Sequence, residues 1–193
     1  MKACLTVAGI ICFAFLPLHV AQSLTVDEAY RAIPHQQTTY RPDRSTLSGT
    51  QARALSELFR AVDEAIVARV ETLRWFQSAG RSGQAFSVYR ASTDRLVASI
   101  AGLRLEPAAA RARDWVVAAI REQQRFFQKW DTKRRENSSA PFAIQSGTDA
   151  DQHIRSSSGL LHKAYNDLMQ AYPAESAHNR QAFFDHLCAL DFV

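Results

Sequence analysis

The stretch FSVYRASTDRLVASIAGL, residues 86–103, decides the fold class. Phe86, Tyr89, Thr93, Leu96, Ile100 and Leu103 recur at alternating steps of three and four. A helix turns by about 100° per residue, so these steps place all six side chains on one face. Such a narrow, sustained stripe is the seam of a helix packed almost antiparallel to its neighbours.

The same period extends in both directions. Upstream, Leu55, Leu58, Phe59, Val62, Ile66, Val70, Leu73 and Phe76 form a stripe. Arg53, Glu57, Arg60 and Glu64 lie opposite it as a solvated face of weak ion pairs. This helix starts near Ser48, where Ser48 and Gln51 have the spacing of a capping box and Leu47 can act as the staple. It stops in Ser78-Ala79-Gly80-Arg81-Ser82-Gly83.

Downstream, Pro107 opens a third helix with Trp115, Val116, Ala119, Ile120, Gln123, Phe126, Phe127 and Trp130 on one side. A fourth runs from about Asp149 to Tyr172 on Ile154, Ser157, Leu161, Ala164, Tyr165, Leu168 and Tyr172. Gly159 weakens it, and Ser156-Ser157-Ser158 suits a close backbone approach. A last helix, roughly Ser176 to Leu190, is expected to bury Phe183, Phe184, Leu187 and Leu190. Seven glycines and six prolines fall mainly between these runs, which is the habit of a helical chain and not of a sandwich or barrel. The expected fold is therefore all-α: a mostly antiparallel helical bundle of four main helices, with an additional C-terminal helix and an extended N-terminal arm. The short breaks near 79–84 and 105–107 favour antiparallel neighbours, and the 137–147 connection leaves room for a crossover.

The N-terminal 47 residues divide in two. Lys2 precedes an apolar run from Ala3 to Leu18, and Ala21-Gln22-Ser23 supplies small residues where a signal peptidase reads them. Residues 1–23 are read as a secretory signal peptide cleaved after Ser23, with an uncleaved anchor as the rival. The mature chain is then periplasmic or secreted. Within 24–47, Thr25-Val26-Asp27-Glu28 has the capping-box form and starts a short helix that Pro34 ends. Residues 34–45 lack any period and read as an extended arm lying on the 48–193 bundle domain.

Composition narrows the function classes. Cys4 and Cys12 leave with the leader, so Cys188 is the sole mature cysteine and an intramolecular disulfide is excluded. Its neighbours Leu187, Ala189 and Leu190 predict a buried, inert thiol. The whole chain carries a formal charge of +4, and loss of Lys2 leaves +3. Nearly all cations are Arg, which grips carboxylates and phosphates better than Lys. There is no Cys-x-x-Cys-His for covalent haem, no Gly-x-Ser-x-Gly elbow and no phosphate-cradling glycine loop. Glu175-Ser176-Ala177-His178 is a lone Glu-x-x-His, whereas di-metal bundles use paired motifs. No catalytic residue, metal or cofactor is therefore assigned. Asn137-Ser138-Ser139 is formally a glycosylation sequon, of little meaning for bacterial export.

Two surfaces remain as candidates. His35 in the arm, with His178 and Asn179 at the start of the last helix, would rim a polar ligand pocket if the two segments met. Arg121, Arg125, Lys129 and Lys133, continued by Arg134 and Arg135, form a basic face. That face suits an acidic partner, and equally a solvated surface whose cations complement the helix C-terminus.

Leu47-Ser48-Gly49-Thr50-Gln51 resembles the Leu-Thr-x-x-Gln element of Spy- and CpxP-type periplasmic chaperones, with Ser in place of Thr. The resemblance covers five residues and occurs once, where those proteins carry two copies. It implies a client-binding role as one alternative. The leading expectation is a non-enzymatic binding module whose partner is another envelope protein, with no nucleic acid and no membrane contact beyond an uncleaved leader. A metal- or small-ligand-binding bundle using His35, His178 and His186 is the other alternative.

Overall fold

The computed structural model describes residues 24–33, 35–77, 82–137 and 149–192. Residues 1–23, expected to be a leader, Pro34, the break at 78–81, the connection at 138–148 with the last two sequon positions, and Val193 lie outside the described residues. The described chain is all-helical, without a strand. Its helices are α1 (Val26–Ala32), α2 (Gly49–Gln77), α3 (Ser82–Ala101), α4 (Pro107–Glu136), α5 (Asp149–Ala171) and α6 (Ala177–Leu190), with a 3-10 turn at Pro42–Arg44.

The helix boundaries follow local chemistry. Thr25 caps α1 through a complete capping box with Glu28. Ser48 caps α2, its hydroxyl accepting from the Gln51 N–H at 3.4 Å. The other half of the expected box is diverted: the Gln51 side-chain oxygen accepts from the Glu106 N–H at 3.3 Å, joining the start of α2 to the start of α4. Ser176 caps α6 by accepting from the Asn179 N–H.

Cross-helix pairs give the directions. On α3 and α4, Asp94 meets Arg121, Thr93 meets Gln124 and Tyr89 meets Phe127. On α4 and α5, Trp115 meets Asp167 and Gln123 meets Ser157. Positions rise on one helix as they fall on the other, which is an antiparallel register, and α5 packs beside α4 without a crossover. Between α5 and α6, Tyr165 meets Phe184 and Ser158 meets Asp191, again antiparallel. Between α2 and α6, Phe59 meets Phe183, Asp63 meets His186 and Arg69 meets the Ala189 carbonyl, so this pair is parallel.

The C-terminal helix thus closes a ring from α5 back to α2. Having a neighbour on two sides, α6 is buried around most of its girth, including the polar Asn179, Asp185 and His186. One core cluster joins all six helices around Phe59, Ile66, Ile100, Ile120 and Phe183. A second lies near the α2–α3 end around Phe76, Tyr89, Phe126, Phe127 and Trp130. Gly159 is exposed and a Cβ there would meet nothing within 4 Å, so no close approach uses it. Ser157 is the serine that turns inward, fully buried and bonded to Gln123.

Candidate functional site

The arm and the start of α6 do meet. Their junction is built on Glu175 and Asn179, one helical turn apart around the α6 N-terminus. The Asn179 carboxamide grips the backbone of Arg41 twice: its oxygen accepts from the Arg41 N–H at 2.9 Å, and its nitrogen donates to the Arg41 carbonyl at 2.9 Å. Glu175, 3% exposed, accepts from Ser45 Oγ at 2.5 Å, from the Ser176 N–H at 2.7 Å and from the Thr46 N–H at 3.3 Å. Asn179 Nδ2 adds a further donor at 3.3 Å. Tyr40 packs beneath this layer against Phe59 and Phe183. An aperiodic segment must find partners for its backbone outside regular structure, and this carboxylate–carboxamide pair provides them.

The three expected pocket residues therefore have distinct surroundings. Asn179 is fully buried and occupied by the arm. His178 Nε2 lies 3.0 Å from the Thr39 carbonyl, so this nitrogen carries the proton and donates. His35 lies against Phe184, ring centroids 6.4 Å apart, and its Nε2 is buried without a hydrogen-bond partner.

His186 belongs to another cluster, between α1, α2 and α6. It is 2% exposed, packs on Phe59 at 4.8 Å, and its Nδ1 donates to the Ala182 carbonyl at 2.8 Å. Nε2 faces Asp63 Oδ1 at 3.4 Å, and that same oxygen accepts from Tyr30 Oη at 2.9 Å. Burial, and then Asp63, push the Tyr30 phenol far above its ordinary range. Nearby, Arg69 is 2% exposed and donates to the carbonyls of Ala189 and Asp191 at the end of α6, with Phe192 stacked against it. The negative end of a helix thus faces a buried guanidinium. Burial still lowers its pKa to about 10. Among the described residues, no three of His, Cys, Asp and Glu converge on one point.

A shallow apolar hollow lies on the outside of the α5–α6 pair. Leu161, His162, Tyr165, Phe184, Leu187, Cys188 and Asp191 line it. Phe184, expected in the core, is 43% exposed. It lies one residue, about 100°, round the helix from the buried Phe183 and leans edge-on against Tyr165 at 5.7 Å. Cys188 is half-buried and not enclosed, and burial, reinforced by Asp191 and Asp185, pushes its thiol up and away from nucleophilic use.

The basic face is largely tied to its own surroundings. Arg121 pairs with Asp94, Arg125 with Glu122, and Arg135 with Asp131 at 2.8 Å. Lys133 covers the Trp130 ring at 4.8 Å, and Arg134 donates to the Phe76 carbonyl. Lys129 lies with Arg125, Lys133 and His153 along an open groove of about 480 Å³. The acidic partners come from neighbouring elements or from one turn away, which a count of cations along one face does not reveal.

No family model, curated protein or solved structure matches the chain. No described helix is long and apolar enough to cross a membrane.

The residues missed by sequence reasoning are Ser45, Asp63, Arg69, Tyr30 and the outward Phe184. Arg69 alone has a local signal, a polar residue interrupting an apolar face beside Val70. The Tyr30–Asp63, Ser45–Glu175 and Arg69–Ala189 pairs each join residues more than 30 apart, so spacing gives no access to them.

Proposed function

We propose that the chain is an exported helical-bundle module that binds another envelope protein without catalysing a reaction, and that it does so through the surface centred on Phe184. The carrying observation is that ring: 43% exposed, braced by Tyr165 and His35, at the edge of the hollow that runs to Leu187 and Cys188. A rigid, partly exposed aromatic beside an apolar depression is the usual anchor of a protein interface. A second support is negative in kind. The polar side chains best suited to chemistry, Glu175, Asn179 and His178, are engaged with the chain's own backbone. Export follows from the leader pattern in residues 1–23.

The test is site-specific photo-crosslinking from position 162, on the rim of the hollow, in cells exporting the full chain. A discrete adduct is expected with native Phe184 and should disappear with Phe184→Asp. It should survive Arg121→Glu with Lys129→Glu, which alters the other candidate surface. An adduct indifferent to Phe184→Asp, or none at all, overturns the assignment.

A further inference from the structure

Leu24 sits at an unusual junction. Its backbone nitrogen donates to Glu71 Oε1 at 2.7 Å, across 47 residues. Its side chain packs on the main core, which fixes where that nitrogen lies. The next residue is fastened as well: the Thr25 N–H donates to Glu28 Oε2 at 2.8 Å as part of the α1 cap. Among the described residues no cation lies within ion-pair distance of Glu71, although Arg60 and Arg95 line the same groove beside Glu64.

The bond on the other side of that nitrogen is the one that Ala21-Gln22-Ser23 presents for cleavage. We propose that the Ser23–Leu24 bond is the maturation site, and that its hydrolysis converts the Leu24–Glu71 hydrogen bond into an ion pair that fastens the new N-terminus to α2. This inference rests on the export reading above. In the step, a signal peptidase directs water to the Ser23 carbonyl carbon, and the carbon–nitrogen bond breaks. Ser23 leaves as a carboxylate bearing the water oxygen. The Leu24 nitrogen takes both water protons and becomes an α-ammonium, so no proton is gained or lost overall.

Before cleavage Glu71 receives one neutral amide N–H. Afterwards the same nitrogen carries a full positive charge beside a carboxylate, and charge-assisted hydrogen bonds are roughly twice as strong as neutral ones. An ordinary α-amino group titrates at about 7.7–8.0, so an adjacent carboxylate keeps it charged through the neutral range. The positive end thus created stands at the entrance to α1, and Glu71 is the group that offsets it. The processed body is therefore better anchored at its first residue than the precursor.

The test uses the full chain expressed with its own leader in an exporting bacterial host. N-terminal sequencing and intact mass should show a chain beginning at Leu24. The acylation rate of its α-amine near pH 7 is then compared in the wild type, Glu71→Gln and Glu71→Asp. A one-unit rise in the amine pKa corresponds to about tenfold slower acylation in the wild type than in Glu71→Gln, with Glu71→Asp in between. A chain that is not processed overturns both this inference and the export reading. A chain processed elsewhere overturns this inference alone. A chain beginning at Leu24 whose amine reacts equally in all three proteins overturns the ion pair. Should Glu71→Gln fail to fold by circular dichroism, the wild-type amine decides by itself: titration in the ordinary range overturns the pair.

Discussion

Asn179 holds Arg41 by both backbone polar groups, N–H and C=O, each at 2.9 Å, although 138 residues separate them. The side-chain amide reproduces the pairing of a neighbouring strand where no strand exists. Through it the arm becomes part of the bundle wall, with Tyr40 carried into the core.

Removing that clamp is expected to loosen the arm before it unfolds the bundle. Asn179→Ala leaves the Arg41 groups without their partner and should cost about 2 kcal/mol. For a chain of this size that lowers Tm by roughly 4–8 °C. Limited trypsin digestion should open the exposed Arg44–Ser45 bond first. Equal resistance of the variant and the wild type at that bond would show that the arm is held by something else.

Phe183 and Phe184 are adjacent but have opposite roles. Phe183 is fully buried between Tyr40 and Phe59, and Phe183→Ala should cost about 3–5 kcal/mol through the cavity it leaves. Phe184→Ala should cost under about 1 kcal/mol, because much of the ring is already in water. Urea denaturation of the two variants measures the contrast, and comparable losses would contradict the outward placement of Phe184.

Gly159 lies within α5 with open space where a Cβ would go. Gly159→Ala should therefore stabilise the chain by about 0.5–1 kcal/mol, through helix propensity and a less disordered unfolded state. A thermal melt should move upward. A fall in Tm would mean that a partner or a close backbone occupies that face.

The tyrosines give an alkaline signature. Burial first, then nearby acidic groups, raises the phenols of Tyr30 and Tyr172 above their ordinary value, Tyr172 to about 12, and burial raises Tyr89 as well. A phenol raised in the folded state binds its proton more tightly there than in the unfolded chain. Its stabilisation is complete below about pH 10 and declines as pH rises through the folded value. Absorbance at the phenolate band should show these groups ionising only as circular dichroism reports unfolding. Full titration of all five tyrosines near pH 10 with the helices intact would contradict their burial.

The amino-acid sequence alone determined the helices. Three-four apolar spacing, caps at Thr25 and Ser48, and prolines at 107 and 173 act within a few residues of one another, and every long stripe lies on a described helix except for Leu103 and Tyr172, just past the ends of α3 and α5. It also determined that the arm is aperiodic. Tertiary structure alone decided what the arm does, why α6 completes the ring, and which way Phe184 faces. The reason is the range of the forces. Helix periodicity and capping are set by neighbours in the chain. The Asn179–Arg41 clamp, the Arg69 bonds to the end of α6 and the Leu24–Glu71 contact join groups 47 to 138 residues apart. Such polar pairs form only after apolar burial has brought their helices together, and no spacing rule records them beforehand.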